Sequence, residues 1–165
     1  LLEVFNLSRR KYFMAEMQYV VFKINKQEFG IDIMKVKEII PYREATYIPN
    51  CPEFVEGVLN YRGNVIPLIN LKKRFYMGDV ELTKETRIIV ITLDDREIGF
   101  IVDEASQTLR LDEGQIDPAP YVISEVDRRF ISGVGKVDEN RLLIILNLHN
   151  VLTDDEKAVI EEMEM

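Results

Sequence analysis

The residue types that carry nucleophilic catalysis are scarce in this sequence. It contains one cysteine, Cys51, and one histidine, His149, so a triad of histidines and a histidine-rich zinc site are excluded. A reactive thiolate needs a neighbouring base or cation. Cys51 stands between Asn50 and Pro52 in a predicted turn, with no cation near it in the sequence. A Cys51–His149 pair stays open only as a minor alternative, which a thiol titration would test.

The motifs that could hold a phosphate or a metal also fail on their spacing. The segment "FISGVGKV" lacks the first glycine of a phosphate-binding loop, because Phe130 stands there, and Val137 replaces the required Ser or Thr. The pairs Asp94-Asp95 and Asp154-Asp155 lack the spacing of a calcium loop and suit a turn and a helix N-terminus. The lack of evident catalytic machinery therefore favours a binding module over an enzyme.

One arginine stands where its charge needs an explanation. Arg62 lies inside "GVLNYRGNVIPLINL", a segment that otherwise has the apolar character of two buried strands joined by a tight turn. A guanidinium is costly to bury unless it is paired, so Arg62 must reach solvent or meet a carboxylate. Both alternatives are open from these residues alone.

The bulk composition restricts the class of partner. The chain has 165 residues and a net charge of -8, which argues against binding nucleic acid or an anionic membrane surface. The single cysteine favours a reducing compartment, and no apolar run approaches the ~20 residues of a membrane span. Met14 would be a plausible natural start, so we expect residues 1–16 to be an extension outside the fold.

Hydrophobic alternation predicts about ten short strands without a strand–helix–strand rhythm, which favours small barrels or a sandwich. Hairpins are predicted in "YVVFKINKQEFGI", in "RIIVITLDDREIGFIVD" and in "FISGVGKVDENRLLIILN". A further strand is predicted in "QTLRL", followed by a loop, "DEGQIDPAP". The irregular stretch 72–85 is predicted to separate two halves of similar size.

Several local features are predicted from single residues. In "IDIMKVKEII" we expect one helical turn followed by a strand, and in "PEFVEG" a single helical turn. Pro67 predicts an edge or bulged strand, because proline cannot donate to a ladder. Gly63 and Asn64 are predicted to take positive φ in the hairpin turn. Asn70 is a predicted helix N-cap.

The last residues predict a helix over 153–165. Thr153 and Glu156 have the spacing of a capping box, in which each side chain bonds a backbone N–H of the other residue. Val159, Ile160 and Met163 form its apolar stripe.

Five segments in order carry a resemblance to a known family. They are "FGIDIMKVKEII", "IPNCPEFVEGVLNYRGNVIPLINL", "RIIVI", "IGFIVDEASQTLRL" and "FISGVGKVDENRLLIILN". Over about residues 19–152 the chain resembles CheW, the coupling protein of bacterial chemotaxis. The family often has Leu where Tyr61 stands, Asp at Asn70 and Arg at Lys72. No kinase, receiver or phosphotransfer segment is attached, so it resembles a CheW that stands alone.

The resemblance implies a mainly β fold of two five-stranded SH3-like barrels packed together within residues 17–152. It implies a non-enzymatic adaptor that needs no cofactor or metal and is a monomer by itself. Such an adaptor bridges the regulatory domain of the histidine kinase CheA and the cytoplasmic tips of chemoreceptors. Such a protein would be cytoplasmic and recruited to membrane-associated receptor arrays. The alternative is a CheW-like adaptor of a non-flagellar or developmental kinase pathway, which gene neighbours would distinguish.

The resemblance also implies where the receptor binds. The family's receptor region corresponds to Arg62 with Glu38 beside it, at a groove between the barrels. Gly57 and Gly133 would permit close backbone approach, with turn geometry as the alternative. Val36, two residues before Glu38, would share its face in a strand and offer an apolar contact, with ordinary core packing as the alternative.

The kinase contact is expected at exposed apolar residues on a barrel edge, because interface cores combine aliphatic side chains with complementary shape. Ile31 and Ile33 are the candidates. The alternative is that both side chains point inward.

Overall fold

The computed structural model describes residues 16–119 and 125–163. Its strands are β1 (Glu16–Ile24), β2 (Gln27–Asp32), β3 (Val36–Pro41), β4 (Val55–Tyr61), β5 (Asn64–Asn70), β6 (Arg87–Leu93), β7 (Arg96–Val102), β8 (Glu104–Asp112), β9 (Ile116–Asp117), β10 (Ile131–Asp138) and β11 (Arg141–Leu146). Its helices are α1 (Leu71–Arg74), α2 (Glu125–Phe130), α3 (Leu148–Val151) and α4 (Asp154–Met163), with 3-10 turns at Ile33–Lys35 and Glu113–Gln115. The predicted extension falls almost wholly outside the described residues.

The strands form two sheets, and together they make the predicted pair of packed SH3-like barrels. The first barrel contains β1, β2 and β8 to β11, in the order β8-β1-β2-β11-β10-β9. The second barrel contains β3 to β7, in the order β3-β6-β7-β5-β4. The prediction that residues 72–85 separate two sequential halves is therefore wrong. That stretch lies between β5 and β6, which both belong to the second barrel. In the sequence, the strands of the second barrel are inserted between β2 and β8 of the first.

Each barrel has a core of its own, and a third core contains residues of both barrels. Strand β1 shows why, because its side chains alternate between two buried faces. Val20 and Phe22 pack into a shared core with residues of both barrels, while Tyr19 and Val21 pack inside the first barrel. Strand β6 divides its side chains in the same way between the shared core and the interior of the second barrel. Since both faces of these strands are buried, the barrels are held together as one body.

Interactions between neighbours in sequence were predicted correctly. The amide of Lys73 donates to the side-chain oxygen of Asn70 at 3.1 Å, which confirms the N-cap of α1. Thr153 and Glu156 exchange both bonds of the capping box, at 2.8 and 3.1 Å. The helical turn at 33–35 followed by β3 is also confirmed. Asp94 and Asp95 take positive φ in the turn between β6 and β7, as a tight hairpin requires.

Four other local predictions are wrong. Residues 52–54 form a turn that leads directly into β4, with no helix. Pro67 lies opposite Val58 in β5, an interior strand, one residue before that strand begins to pair with β7. In the turn between β4 and β5, the predicted positive φ of Gly63 is confirmed but that of Asn64 is wrong, because Arg62 takes the other positive φ and Asn64 already belongs to β5. The predicted loop after β8 contains a 3-10 turn and β9, which pairs with β10.

None of the helices within residues 16–119 and 125–163 has the length and apolar character needed to cross a bilayer.

Candidate functional site

Arg62, Glu38 and Tyr61 form one cluster on the second barrel, which we call the Arg62 cluster. The Nη2 atom of Arg62 lies 3.0 Å from Oε2 of Glu38. The hydroxyl of Tyr61 donates a short hydrogen bond to the same Oε2 atom. The guanidinium carbon of Arg62 lies 5.4 Å from the centre of the Tyr61 ring. The predicted Arg62–Glu38 pair is therefore present, and Tyr61 supports both of its members.

The cluster exists because the second barrel closes on itself. Strands β3 and β4 are at opposite ends of the sheet order, yet the chain after β3 returns to β4. Thr46 exchanges two backbone hydrogen bonds with Val58, at 2.8 and 3.0 Å. Arg43 donates to the backbone oxygen of Asn60 at 2.5 Å. The pairing of Glu38 with the end of β4 continues this row of contacts along the closing seam.

The pair is positioned without being buried. The side chain of Arg62 is 67% exposed and that of Glu38 is 33% exposed. Arg62 also takes φ of 50° in its turn, a left-handed conformation that favours Gly or Asn over a long side chain. A solvated pair of this kind contributes about 0–1 kcal/mol to stability. Stability alone therefore gives little reason for an arginine at this turn.

Glu38 also changes the acid–base behaviour of Tyr61. The hydrogen bond that the Tyr61 hydroxyl donates to the Glu38 carboxylate raises the pKa of the phenol, and burial raises it further. The nearby Arg62 cation acts in the opposite direction. The raised pKa thus favours the protonated phenol, which is the form that donates to Glu38.

Val36 does not share a face with Glu38, so that prediction is wrong. A β-bulge falls between them in the pairing of β3 with β6, where Val36 lies opposite Ile91 and Glu38 opposite Val90. Ile91 faces the shared core and Val90 faces the interior of the second barrel. The extra residue in β3 therefore turns Val36 towards the shared core, against which it packs half-buried.

Gly57 and Gly133 both permit a close approach within the chain. At Gly57, φ is +140° and a Cβ atom would lie 2.1 Å from the backbone oxygen of Thr46. At Gly133, in the first barrel, a Cβ atom would lie 2.9 Å from the Ile116 side chain and 3.0 Å from the Asp117 backbone oxygen. Each glycine lies beside a bulge and lets another segment of the same protein pass close by.

The two kinase candidates are less available than expected. Ile31 lies opposite Val20 in β2, an interior strand, and its side chain is 0% exposed in the shared core. The expectation of an exposed anchor at Ile31 is therefore wrong, because both neighbouring strands and the second barrel cover it. Ile33 is half-buried against the same core. Its neighbour Met34 is 84% exposed.

The chain's single cysteine and histidine do not activate each other. The thiol of Cys51 donates to the backbone oxygen of Ile48 at 2.9 Å. The imidazole of His149 lies 4.0 Å from a carboxylate oxygen of Asp94. Within residues 16–119 and 125–163, no group of three or more His, Cys, Asp and Glu side chains is placed to hold a metal ion.

Tyr61 was missed as a site residue by reasoning from the sequence. Its position next to Arg62 was visible, but strand alternation marks it only as a core residue, and it is indeed buried within the second barrel. The available signal was the substitution of a tyrosine where the family resemblance gives leucine, since a buried hydroxyl needs a hydrogen-bond partner.

Comparison with known proteins assigns a family to this fold and site. The model of the CheW-like domain matches residues 18–156. The chemotaxis protein CheW of Bacillus subtilis is 38% identical over 133 residues, which cover 81% of this chain and 85% of that protein. CheW of Klebsiella aerogenes is 34% identical over 146 residues, covering 88% and 87% of the two chains.

A solved structure agrees with both the sequence match and the topology. The scaffolding protein TtCheW from Thermoanaerobacter tengcongensis superposes with a TM-score of 0.77 at 36% identity, covering 85% of this chain and 90% of that one. The fold, the family model and the curated relatives thus coincide over nearly the same residues. The chain belongs to the CheW family, whose members are non-enzymatic chemotaxis coupling adaptors.

Proposed function

We propose that this adaptor bridges the regulatory domain of the kinase CheA and the cytoplasmic tips of chemoreceptors, and that the receptor contacts the Arg62 cluster. Family membership supports a coupling role in chemotaxis. The observation that carries the receptor assignment is that Glu38 holds Arg62 while leaving its side chain 67% exposed. A guanidinium fixed in this way presents its remaining N–H donors to a partner in a set direction.

The partner that fits is a receptor helix with carboxylate or carbonyl oxygens beside apolar residues. The protein acts as a monomer in the cytoplasm and joins the membrane-associated array through its partners. Gly57 and Gly133 contribute through the backbone segments they allow to approach, and Val36 through the shared core that supports β3. Their contribution to binding is thus indirect, whereas that of Arg62 and Glu38 is direct.

The kinase contact is proposed on the 3-10 turn between β2 and β3, where Ile33 is half-buried and Met34 is exposed. This places the kinase contact and the receptor contact on different segments. Replacing Met34 by Asp should weaken kinase binding and leave receptor binding unchanged, as measured by titration with each fragment.

The test of the receptor contact is titration of a receptor-tip fragment against Arg62→Ala, with a kinase fragment titrated alongside. Receptor affinity should fall, while kinase affinity and the melting temperature stay close to those of the unmodified protein. Arg62→Lys should recover little of the affinity, because lysine keeps the charge but loses the planar set of donors. Glu38→Ala should resemble Arg62→Ala, and the double variant should show less than the sum of the two losses.

Lys26 provides a matched control. It is an exposed cation at positive φ, 69°, in the turn between β1 and β2 of the first barrel. Lys26→Ala removes the same charge from the same kind of turn and should leave receptor affinity unchanged. Equal losses for Lys26→Ala and Arg62→Ala would show a general charge effect, and no loss for Arg62→Ala would refute the assignment.

A further inference from the structure

The two oxygens of the Glu38 carboxylate make different contacts. Tyr61 donates to Oε2, and Arg62 lies 3.0 Å from that same atom. The other oxygen, Oε1, has no protein partner among the described residues. The carboxylate is therefore held through one of its two oxygens.

Tyr61 is itself held rigidly. Its side chain is only 4% exposed, and it packs with Leu59, Ile66 and Val90 inside the second barrel. A phenol fixed by its ring has a fixed hydroxyl direction, apart from rotation of the hydrogen. The exposed pair thus takes its orientation from a buried residue. Without that hydroxyl, Glu38 and Arg62 keep their mutual attraction but lose the hydrogen bond that fixes the orientation of their side chains.

We infer that Tyr61 is a positioning residue for the proposed receptor contact: its hydroxyl fixes Glu38 and its ring carries the Arg62 guanidinium, so that both are oriented before the receptor binds. The inference rests on the proposed function of the Arg62 cluster. It gives Tyr61, the buried member of the Arg62 cluster, a role in binding although this residue does not itself reach the partner. The advantage is preorganisation, because side chains that are ordered before binding lose less conformational freedom on binding.

Tyr61→Phe is the test, because phenylalanine keeps the packed ring and removes only the hydroxyl. Receptor-tip affinity is expected to fall about fivefold to tenfold, since hydrogen bonds to charged groups contribute more than those between neutral groups. Kinase affinity should be unchanged. Tyr19→Phe is the matched control, because Tyr19 is also a buried barrel tyrosine, 5% exposed, but lies in the first barrel. It should leave both affinities unchanged.

The distinguishing measurement is the same substitution in the Arg62→Ala background. If Tyr61 acts through the pair, Tyr61→Phe should have little further effect once Arg62 is gone, and the two losses should be strongly non-additive. A merely structural effect of the hydroxyl would give the same fold loss in both backgrounds. Additive losses, or wild-type receptor affinity for Tyr61→Phe, would overturn the inference.

A second readout follows Tyr61 directly. Tyrosinate absorbance, taken as the difference between the wild-type protein and Tyr61→Phe, isolates the titration of this phenol. Glu38→Gln should shift that titration to lower pH, since the carboxylate is the main group that raises the pKa. No shift would show that the hydroxyl is not bound to Glu38 in solution and would also overturn the inference. If Arg62→Ala retains receptor affinity, the proposed function itself fails, whatever Tyr61→Phe shows.

Discussion

Replacing Gly57 by alanine tests whether this glycine serves the closure of the second barrel. The new Cβ atom would lie 2.1 Å from the Thr46 backbone oxygen and 2.7 Å from its backbone carbon. Backbone atoms cannot rotate away as a side chain can, so the 46–47 segment or β4 must shift. The Thr46 oxygen is also the acceptor for the Val58 amide at 3.0 Å, so a shift breaks the closing bridge.

The size of the effect follows from two contributions. An alanine at φ of +140° is strained by about 1–3 kcal/mol. Loss of the two Thr46–Val58 hydrogen bonds costs about 1 kcal/mol each. The free energy of unfolding should therefore fall by about 3–5 kcal/mol, and the melting temperature by roughly 10 °C.

Two other glycines separate these contributions. Gly63 and Gly78 also have positive φ, +86° and +107°, but a Cβ atom on either would meet nothing within 4 Å. Gly63→Ala and Gly78→Ala should lose only the conformational contribution of about 1–3 kcal/mol.

The assay is urea unfolding of the three variants. Their free energies of unfolding are compared with the slope of free energy against urea concentration held at one common value. Gly57→Ala should be less stable than either control by about 2 kcal/mol, which corresponds to the two backbone bonds. If Gly57→Ala is no less stable than the controls, the close contact with Thr46 does not hold the barrel closed. Receptor binding lost by Gly57→Ala while its stability is intact would instead place Gly57 directly in the interface.

Three further predictions concern stability. Arg74 is 5% exposed, lies between two phenylalanine rings and pairs with Glu156. Arg74→Ala should therefore lower the free energy of unfolding by about 3–5 kcal/mol. The control is Arg96→Ala, which removes an exposed arginine and should cost about 1 kcal/mol or less. Ile31→Ala should cost about 2–5 kcal/mol and Met34→Ala less than about 0.5 kcal/mol, both measured by chemical unfolding; equal losses would contradict the burial of Ile31. Because the folded-state pKa of Tyr61 is raised above 10.0, its contribution to stability should be complete below that pH and decline as pH rises through the folded-state pKa. Tyr61→Phe should therefore lose less stability than the wild-type protein over that alkaline range.

The Arg62 cluster shows which part of the site can be predicted from the sequence. Arg62 was predicted to reach solvent or a carboxylate, because a cation in an apolar hairpin needs one or the other. The family resemblance implied Glu38 as the partner. Composition and alternation do not indicate that partner, since Glu38 and Arg62 are 24 positions apart in the sequence. Tyr61 was not predicted as part of the site, because its hydroxyl bond to Glu38 depends on closure of the barrel.

The errors at Ile31 and Val36 share one physical origin. Strand alternation identifies two faces but does not say which face is covered, and in this protein both faces of several strands are buried by the packing of one barrel on the other. The bulge in β3 then places Val36 on the opposite face from Glu38. Neither effect has a signal in the residues concerned.

The sequence by itself determined the features that neighbouring residues decide: the tight hairpin at Asp94-Asp95, the cap at Asn70, the capping box at Thr153, and the alternating strands of a small β fold. These depend on backbone conformation and hydrogen bonds within a few residues. Tertiary structure alone decided which strands share a barrel, because β2 pairs with β11 and β5 with β7 across long stretches of chain. It also decided that Pro67 lies in an interior strand and that Tyr61 supports Glu38, since such contacts form only when distant segments pack together.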